Sequence, residues 1–221
     1  GPWVFKRNGL YYMVYAAGGV PEHMAYSTAE NINGPWKYQG RIMNEATNSF
    51  TIHGGSIEYH NRHFMFYHNG ALPNGGGFRR STCVEEFKFG EDGKIPFIPF
   101  TKEGVRTPVR NLNPYQRVEA ETMAFSYGLK TDRKAGTQHH ITSIHNGDWL
   151  KVRSVDFGEK GATTFSASVA GLVQGGSIEL RIDALGGSVI GTLEVSPTGG
   201  PEQWKEQTTQ VNAVKGVHDL Y

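Results

Sequence analysis

Short runs of alternating apolar and polar residues, separated by turns rich in Gly, Asn and Pro, extend along the chain. The first is GPWVFKRNGLYYMVYA, in which Phe5 precedes the polar turn Lys6-Arg7-Asn8-Gly9, and residues 10–15 form an aromatic and β-branched run. This pattern predicts two short strands around a tight Asn-Gly turn. No long stretch has a period of 3.6 residues, so the chain is predicted to be all-β with little helix.

One unit of this pattern occurs twice in the first half of the chain. WVFKRNGLYYMVY and SIEYHNRHFMFYH both give an apolar strand, a polar turn and a second strand, at an offset of 52 residues. Periods of about 40 to 50 residues built from short strands are typical of β-propeller blades. We therefore predict about two blades, which is part of a propeller, since closure takes about four to eight blades.

The second half alternates more regularly, and its predicted strands recur about every ten residues between Gly-rich turns, as in a β-sandwich of the jelly-roll type. Between the halves, GVRTPVRNLNPYQR carries two Pro and two Asn and does not alternate. The predicted organisation is a partial propeller over residues 1–103, a linker over 104–116 and a sandwich over 117–221.

The composition narrows the classes of partner. Lys and Arg number 22 against 21 Asp and Glu, and a net charge of +1 gives no electrostatic reason to expect nucleic acid or an anionic membrane. A neutral ligand fits better. No apolar run approaches the roughly 20 residues that span a bilayer. The single Cys83 excludes an internal disulfide but leaves the compartment open.

The first half resembles the C-terminal part of the catalytic domain of glycoside hydrolase family 43, a five-bladed propeller. The motifs that carry this resemblance are GPWVFKRNGLYYMVYAAGG, PEHMAYSTAENINGPW, HGGSIEYHNRHFMFYHN and LPNGGGFRRSTCVEEFKFGEDGKI. The second half is similar to a family 6 carbohydrate-binding module through VEAETMAFSYG, IHNGDWLKVRSVDFG, GGSIELRIDALGGSVIGTLEV and VKGVHDLY.

The resemblance implies a fragment of an inverting, hemicellulose-degrading glycosidase of the β-xylosidase or α-L-arabinofuranosidase type, with an appended binding module. Its expected partners are xylan, arabinoxylan or their oligosaccharides. The family resemblance also implies a secreted or periplasmic protein, although this stretch shows no signal peptide. Two other classes stay open: a non-catalytic protein that binds xylan, and a structural fragment that self-associates through unpaired strand edges.

The resemblance also implies where the catalytic carboxyl groups lie. In this family the general-acid Glu commonly precedes a Gly-Pro pair, so it is expected just before Gly1, with the base further upstream. An inverting glycosidase needs two carboxyl groups about 6.5–9.5 Å apart, so the isolated chain is expected to be inactive. Alternatively, Gly1-Pro2 is a protease scar from an expression tag. We expect solvated carboxylates at Glu22, Glu58, Glu85 and Glu86.

Candidate substrate-binding residues of the propeller lie around the second blade. The resemblance implies that His53 faces the propeller axis and holds a water or a hydrated cation there. Arg79 and Arg80 follow a Gly-rich loop and point in opposite directions in a strand, so one of them is expected to reach sugar hydroxyls with its fork of donors. His68 and Asn69, at the end of the neighbouring strand, are further candidates.

In the sandwich, Glu119 and Glu121 flank Ala120 and would share one side of an extended strand, where a cation would relieve their repulsion. Oxygen ligands suit calcium, and the resemblance likewise implies a structural calcium here. For sugar binding, His140 stands where the family often has Tyr, and Pro201 replaces a Trp. Tyr127 and Trp204 remain as stacking platforms, although Trp204 is more typical of a core. Asp148 and Trp149 are interpreted as turn and core.

Overall fold

The computed structural model describes residues 1–133, 139–171 and 175–221. Apart from one 3₁₀ turn, Ala120–Thr122, the regular structure of these residues is β-strand, which confirms the all-β prediction. The chain divides into two compact units, Gly1–Thr107 and Pro108–Tyr221. Among the described residues, no helix is long and apolar enough to cross a membrane.

Four antiparallel strands form the first sheet of unit 1. They follow one another in chain order: β1 (Trp3–Arg7), β2 (Leu10–Ala17), β3 (His23–Ala29) and β4 (Lys37–Met43). Asn8 and Gly9 have positive φ angles of 49° and 83°, as the tight turn between β1 and β2 requires. The hairpin predicted from the first residues of the chain is confirmed.

The second sheet of unit 1 has three antiparallel strands, namely β5 (Gly54–Tyr59), β6 (Arg62–Asn69) and β7 (Ser81–Phe87). Its first turn repeats the solution used in the first sheet, because His60 and Asn61 both have positive φ, 50° and 58°. The two sequence copies are thus both hairpins, β1–β2 and β5–β6. The number of propeller blades stays a prediction.

Both sheets contribute to one hydrophobic core in unit 1. Alternate residues of a strand point to the same face, and accordingly Tyr12 and Val14 of β2 are both buried. The other large side chains with 2% exposure or less include Met24, Tyr26, Ile42, Met43, Ile52 and Met65. Cys83, on β7, is partly buried against this core. Burial raises the pKa of its thiol.

Unit 2 is the β-sandwich that the alternation predicted, built from short antiparallel pairings. Its strands are β8 (Phe125–Tyr127), β9 (Lys130–Arg133), β10 (His139–Thr142), β11 (Trp149–Asp156), β12 (Thr164–Gly171), β13 (Gly176–Arg181), β14 (Val189–Val195), β15 (Gly200–Gln210) and β16 (Val217–Leu220). The pairings are β9 with β10, β11 with both β8 and β16, β12 with β15, and β13 with β14. Val155, Leu180 and Leu193 are among its buried side chains.

Candidate functional site

Polar side chains gather at one end of the second sheet of unit 1. In the antiparallel register, Gly54 at the start of β5 pairs with Tyr67, and Ser81 at the start of β7 pairs with Asn69 at the end of β6. Residues that flank these three strand ends therefore meet. They include Thr51 and His53 before β5, His68 on β6 and Arg80 before β7, and Glu22, which precedes β3, contacts His53. We call these five residues the polar cluster.

Arg80 is tied into the polar cluster through Thr51 and His68. Its Nη1 donates to Thr51 Oγ1 at 3.1 Å and lies 3.4 Å from His68 Nε2. Arg79 instead exchanges two backbone hydrogen bonds of 3.0 Å with Gly76. Sequence alternation left open which arginine reaches the site, and the structure brings Arg80 into the cluster.

His53 faces solvent on one side of the polar cluster and Glu22 on the other. Its Nε2 lies 3.6 Å from Glu22 Oε2, with the two side chains 46% and 25% exposed. Glu22 Oε2 also accepts a hydrogen bond from the Ile52 amide at 3.2 Å. The ring centroids of His53 and His68 are 5.3 Å apart, with the rings nearly perpendicular.

Glu22 was expected to be a solvated carboxylate, and its contacts with the Ile52 amide and with His53 were not predicted. Glu22 and its hydrogen-bond partner Ile52 are 30 residues apart along the chain. Hydrogen bonds between the segment before β3 and the segment before β5 bring them together, so no local pattern around Glu22 could have identified it.

His68 is neutral near pH 7. Burial, followed by the nearby Arg80 guanidinium, lowers the pKa of this imidazole. The Nε2 atom lies 3.2 Å from the Thr51 carbonyl oxygen, so the tautomer with a hydrogen on Nε2 donates to that oxygen. The cluster thus offers a fixed guanidinium, two imidazoles and one carboxylate, a set suited to binding hydroxyl groups.

Glu85 was expected to be solvated, and this expectation is wrong. The residue is 5% exposed. Its carboxylate accepts hydrogen bonds from the Tyr67 hydroxyl at 3.1 Å, the Thr101 amide at 2.8 Å and the Thr101 hydroxyl at 2.9 Å. Burial and the adjacent Glu85 raise the pKa of Tyr67, which keeps its hydroxyl protonated as a donor. Glu85 therefore anchors the segment that follows β7.

The other candidates near this sheet have local roles. Glu86 receives two hydrogen bonds from Arg62, at 2.8 and 2.6 Å, and the Glu58 side chain is 56% exposed, as expected of a solvated carboxylate. Asn69 is buried, and its Oδ1 accepts from the Ala71 amide at 3.1 Å, so it closes a turn outside the cluster.

Two of the predicted sugar-binding residues of the sandwich lie together. His140 on β10 and Trp204 on β15 have ring centroids 5.4 Å apart and ring planes 72° apart. Trp204 is 48% exposed, so the interpretation of this residue as core is wrong. Strand β15 is exposed along most of its length, which leaves this ring accessible. Tyr127, at the end of β8, is 49% exposed.

Asp148 lies in a turn, as expected, and accepts a hydrogen bond from the His145 amide at 2.8 Å. Gly128 permits this arrangement, since a Cβ there would fall 1.7 Å from Asp148 Oδ1. Trp149 is only partly buried, on β11, with its ring 6.1 Å from that of Tyr221.

The two glutamates predicted to hold calcium are not in a strand. Glu119 is the N-cap of the 3₁₀ turn and Glu121 lies within it, so the strand alternation assumed for them does not apply. Both carboxylate oxygens of Glu119 accept hydrogen bonds from Arg117, at 2.8 and 3.2 Å, which lowers the pKa of Glu119.

Calcium takes six to eight oxygen ligands. Within residues 1–133, 139–171 and 175–221, no group of three or more His, Cys, Asp or Glu side chains is arranged to hold a metal ion. Calcium at Glu119 and Glu121 would therefore need further oxygen ligands from other groups.

Comparisons with known families match both halves of the chain. The model for glycosyl hydrolases family 43 matches residues 1–95, and the model for carbohydrate binding module (family 6) matches residues 119–221. Together these matches cover most of both compact units.

Two curated relatives match nearly the whole chain. An arabinoxylan arabinofuranohydrolase of Paenibacillus polymyxa is 34% identical over 99% of this chain and 37% of its own length. An arabinoxylan arabinofuranohydrolase of Bacillus subtilis is 35% identical over 98% of this chain and 46% of its own length.

A crystal structure of a glycoside hydrolase family 43 arabinoxylan arabinofuranohydrolase from Bacillus subtilis, in complex with cellotetraose, has a TM-score of 0.83 to this chain. It is 33% identical, and the match covers 99% of this chain and 49% of that one. The chain thus spans about half or less of the length of these relatives.

Proposed function

Because residues 1–95 belong to the glycosyl hydrolases of family 43 and residues 119–221 to the family 6 carbohydrate-binding modules, we propose that the protein acts in hemicellulose breakdown. The reaction class is glycoside hydrolysis of the β-xylosidase or α-L-arabinofuranosidase type, with inversion. The ligands are xylan, arabinoxylan or their oligosaccharides, which are polymers found outside cells, so the protein works in a secreted or periplasmic setting.

The polar cluster is the observation that carries this proposal. Arg80 presents several fixed donors beside Thr51 and the neutral His68. A planar guanidinium can span two neighbouring hydroxyl groups, and a neutral imidazole can donate or accept as the hydroxyl requires. Such a site recognises an uncharged polyol, which agrees with the near-zero net charge of the chain.

Binding to arabinoxylan tests the proposal, measured as the retardation of the chain in gels that contain the polysaccharide. Arg80→Ala removes the donors of the cluster and is expected to weaken binding by the propeller unit about tenfold, as for loss of a charged hydrogen-bond donor. Arg79→Ala is the matched control, since this neighbouring arginine lies outside the cluster. Equal retardation of the two variants would contradict a substrate role for Arg80.

The isolated chain is proposed to bind substrate without cleaving it. Inversion requires a protonated acid and a carboxylate base on opposite faces of the sugar, about 6.5–9.5 Å apart. The polar cluster contains one carboxylate, Glu22, and it is engaged with the Ile52 amide and His53. Release of nitrophenol from an aryl β-xyloside or α-L-arabinofuranoside by the purified chain, at a rate above that of a mock purification, would refute this proposal.

A non-catalytic binding protein is the second candidate function, favoured by the exposed His140–Trp204 pair. A half-exposed indole can pack against the apolar face of a sugar ring. This reading predicts that Trp204→Ala abolishes retardation by arabinoxylan, whereas Arg80→Ala leaves it unchanged. Loss of retardation in both variants would instead show that both units bind.

We also propose that Glu119 and Glu121 bind a calcium ion, and that His53 holds a second cation or a water. Its support is the presence of two carboxylates on either side of Ala120 in the sequence and the oxygen chemistry that calcium prefers. Calcium should raise the unfolding temperature of the sandwich, and Glu121→Gln should remove that rise. Equal shifts with calcium in both proteins would contradict the site.

A further inference from the structure

Two phenylalanine rings lie exposed on the surface of unit 1 beside the Gly-rich loop. Phe78 is 90% exposed and Phe50 is 40% exposed. Their ring centroids are 5.3 Å apart and their planes make an angle of 68°, the edge-to-face arrangement that aromatic pairs favour. We call Phe50 and Phe78 the aromatic platform. An exposed apolar patch with polar residues at its edge is typical of a binding site.

The backbone holds the aromatic platform in place. Gly76 and Arg79 exchange both of their backbone hydrogen bonds at 3.0 Å, which places Phe78 in a two-residue turn. The loop also lies directly against the Phe50 ring, because a Cβ on Gly77 would fall 2.0 Å from Phe50 Cε1. The Phe50 carbonyl in turn accepts from the Glu22 amide at 3.0 Å. The rings are thus presented by ordered hydrogen bonds.

The aromatic platform borders the polar cluster. Phe50 directly precedes Thr51, and Phe78 stands two positions before Arg80. Thr51 and Arg80 are joined by a hydrogen bond of 3.1 Å, so both chain segments bring a ring to the edge of the same polar site. A pyranose has an apolar C–H face and a rim of hydroxyl groups, which match an aromatic face and a guanidinium fork respectively.

We propose that the aromatic platform is a pyranose-binding subsite that takes one β-1,4-linked xylose unit of a xylan chain beside the polar cluster. This inference rests on the proposed function. A protein partner fits less well, because a standard interface buries about 800 Å² on each side, whereas two phenyl side chains supply at most about 300–500 Å².

Titration of the 221-residue chain with xylotetraose tests the subsite, by calorimetry in a Trp204→Ala background that removes the sandwich platform. Phe78→Ala is expected to weaken binding about tenfold, in line with the loss of one aromatic contact surface, and Phe78→Trp should preserve it. Phe97→Ala is the matched control, since Phe97 is a half-exposed phenylalanine of the same unit outside the platform and the cluster. It should leave the affinity unchanged.

The arms separate this inference from the proposed function. If Arg80→Ala weakens binding but Phe78→Ala does not, the subsite is refuted and the polar cluster stands. If the Trp204→Ala chain does not bind xylotetraose at all, the subsite and the role of the cluster both fail. The alternative occupant is a second copy of the chain, and sedimentation of the same variants tests it. Conversion of an oligomer to a monomer by Phe78→Ala, without a change in sugar affinity, would identify the platform as an interface between copies and overturn the subsite.

Discussion

At the scale of single residues, Glu85 shows how a buried charge can be held by neutral donors. Within the part of the chain that the structure describes, the hydrogen bonds to its carboxylate come from Tyr67 and Thr101, neither of which carries a charge. Removing one donor from a buried charged acceptor leaves part of its desolvation cost uncompensated. The stability of unit 1 therefore depends on Thr101, a residue of the irregular segment after β7.

Thr101→Val tests this dependence with little change in side-chain shape. We expect the free energy of unfolding of unit 1 to fall by about 1–3 kcal/mol, measured by urea denaturation. Thr82→Val is the control, because Thr82 is an exposed strand residue of β7. Equal losses in the two variants would show that the Glu85 contacts add nothing.

His68 gives unit 1 a pH dependence of known sign. Its pKa in the folded protein is below the unfolded value of about 6.5, because burial and Arg80 disfavour the charged ring. The unfolded chain then binds more protons, so the stability present above about pH 6.5 is lost as the pH falls through the folded pKa. Thermal unfolding between pH 7.5 and 4.5 should show a shallower decline in His68→Gln. An identical decline would exclude His68 as the cause.

At the scale of elements, Gly9 and Gly54, one in each hairpin, are needed for different physical reasons. Gly9 has a φ of +83° and open space around its Cβ position, so a side chain there meets only backbone strain. At Gly54, in β5, a Cβ would lie 2.4 Å from the Phe66 carbonyl oxygen, which is backbone and cannot swing aside. One glycine is needed for conformation and the other for close approach of strands.

Alanine substitutions should separate these two costs. We expect Gly9→Ala to lower the free energy of unfolding by about 1–2 kcal/mol, the strain of a left-handed residue. Gly54→Ala should cost more, because β5 must shift relative to β6. Urea denaturation of both variants measures the difference, and a smaller loss for Gly54→Ala would contradict the steric argument.

The elements also show what sequence patterns can and cannot predict. Strands and tight turns follow from neighbours along the chain, so sequence patterns predict the Asn8-Gly9 hairpin and its repeat. The polar cluster depends on contacts such as Glu22 with Ile52, which only sheet packing creates. Trp204 was misassigned for a related reason: an indole looks the same in sequence whether its strand face is covered or open, and β15 leaves it open.

At the scale of the whole molecule, each compact unit has its own buried side chains. Met65 is fully buried in unit 1 and Leu193 is 2% exposed in unit 2. Truncating either to alanine creates a cavity and should cost about 2–5 kcal/mol. Calorimetry should show Met65→Ala lowering one transition and Leu193→Ala the other. A shift of both transitions by either variant would mean that the units unfold together.

The sheets of unit 1 also predict self-association. In the described pairings, β1, β4, β5 and β7 each have a single neighbour, so each presents one row of backbone groups that no strand covers. We expect oligomers whose proportion grows with protein concentration, measured by sedimentation velocity. A monodisperse monomer at every concentration would refute this prediction.

The position of Cys83 makes its thiol a natural chemical probe of unit 1. It is the single cysteine of the chain, and its thiol, with a raised pKa, is seated against the core of unit 1. Alkylating reagents attack the thiolate form, which burial disfavours at this position. An added maleimide should therefore consume this thiol more slowly in folded than in unfolded protein, and the difference reports on unit 1 alone, because unit 2 has no cysteine.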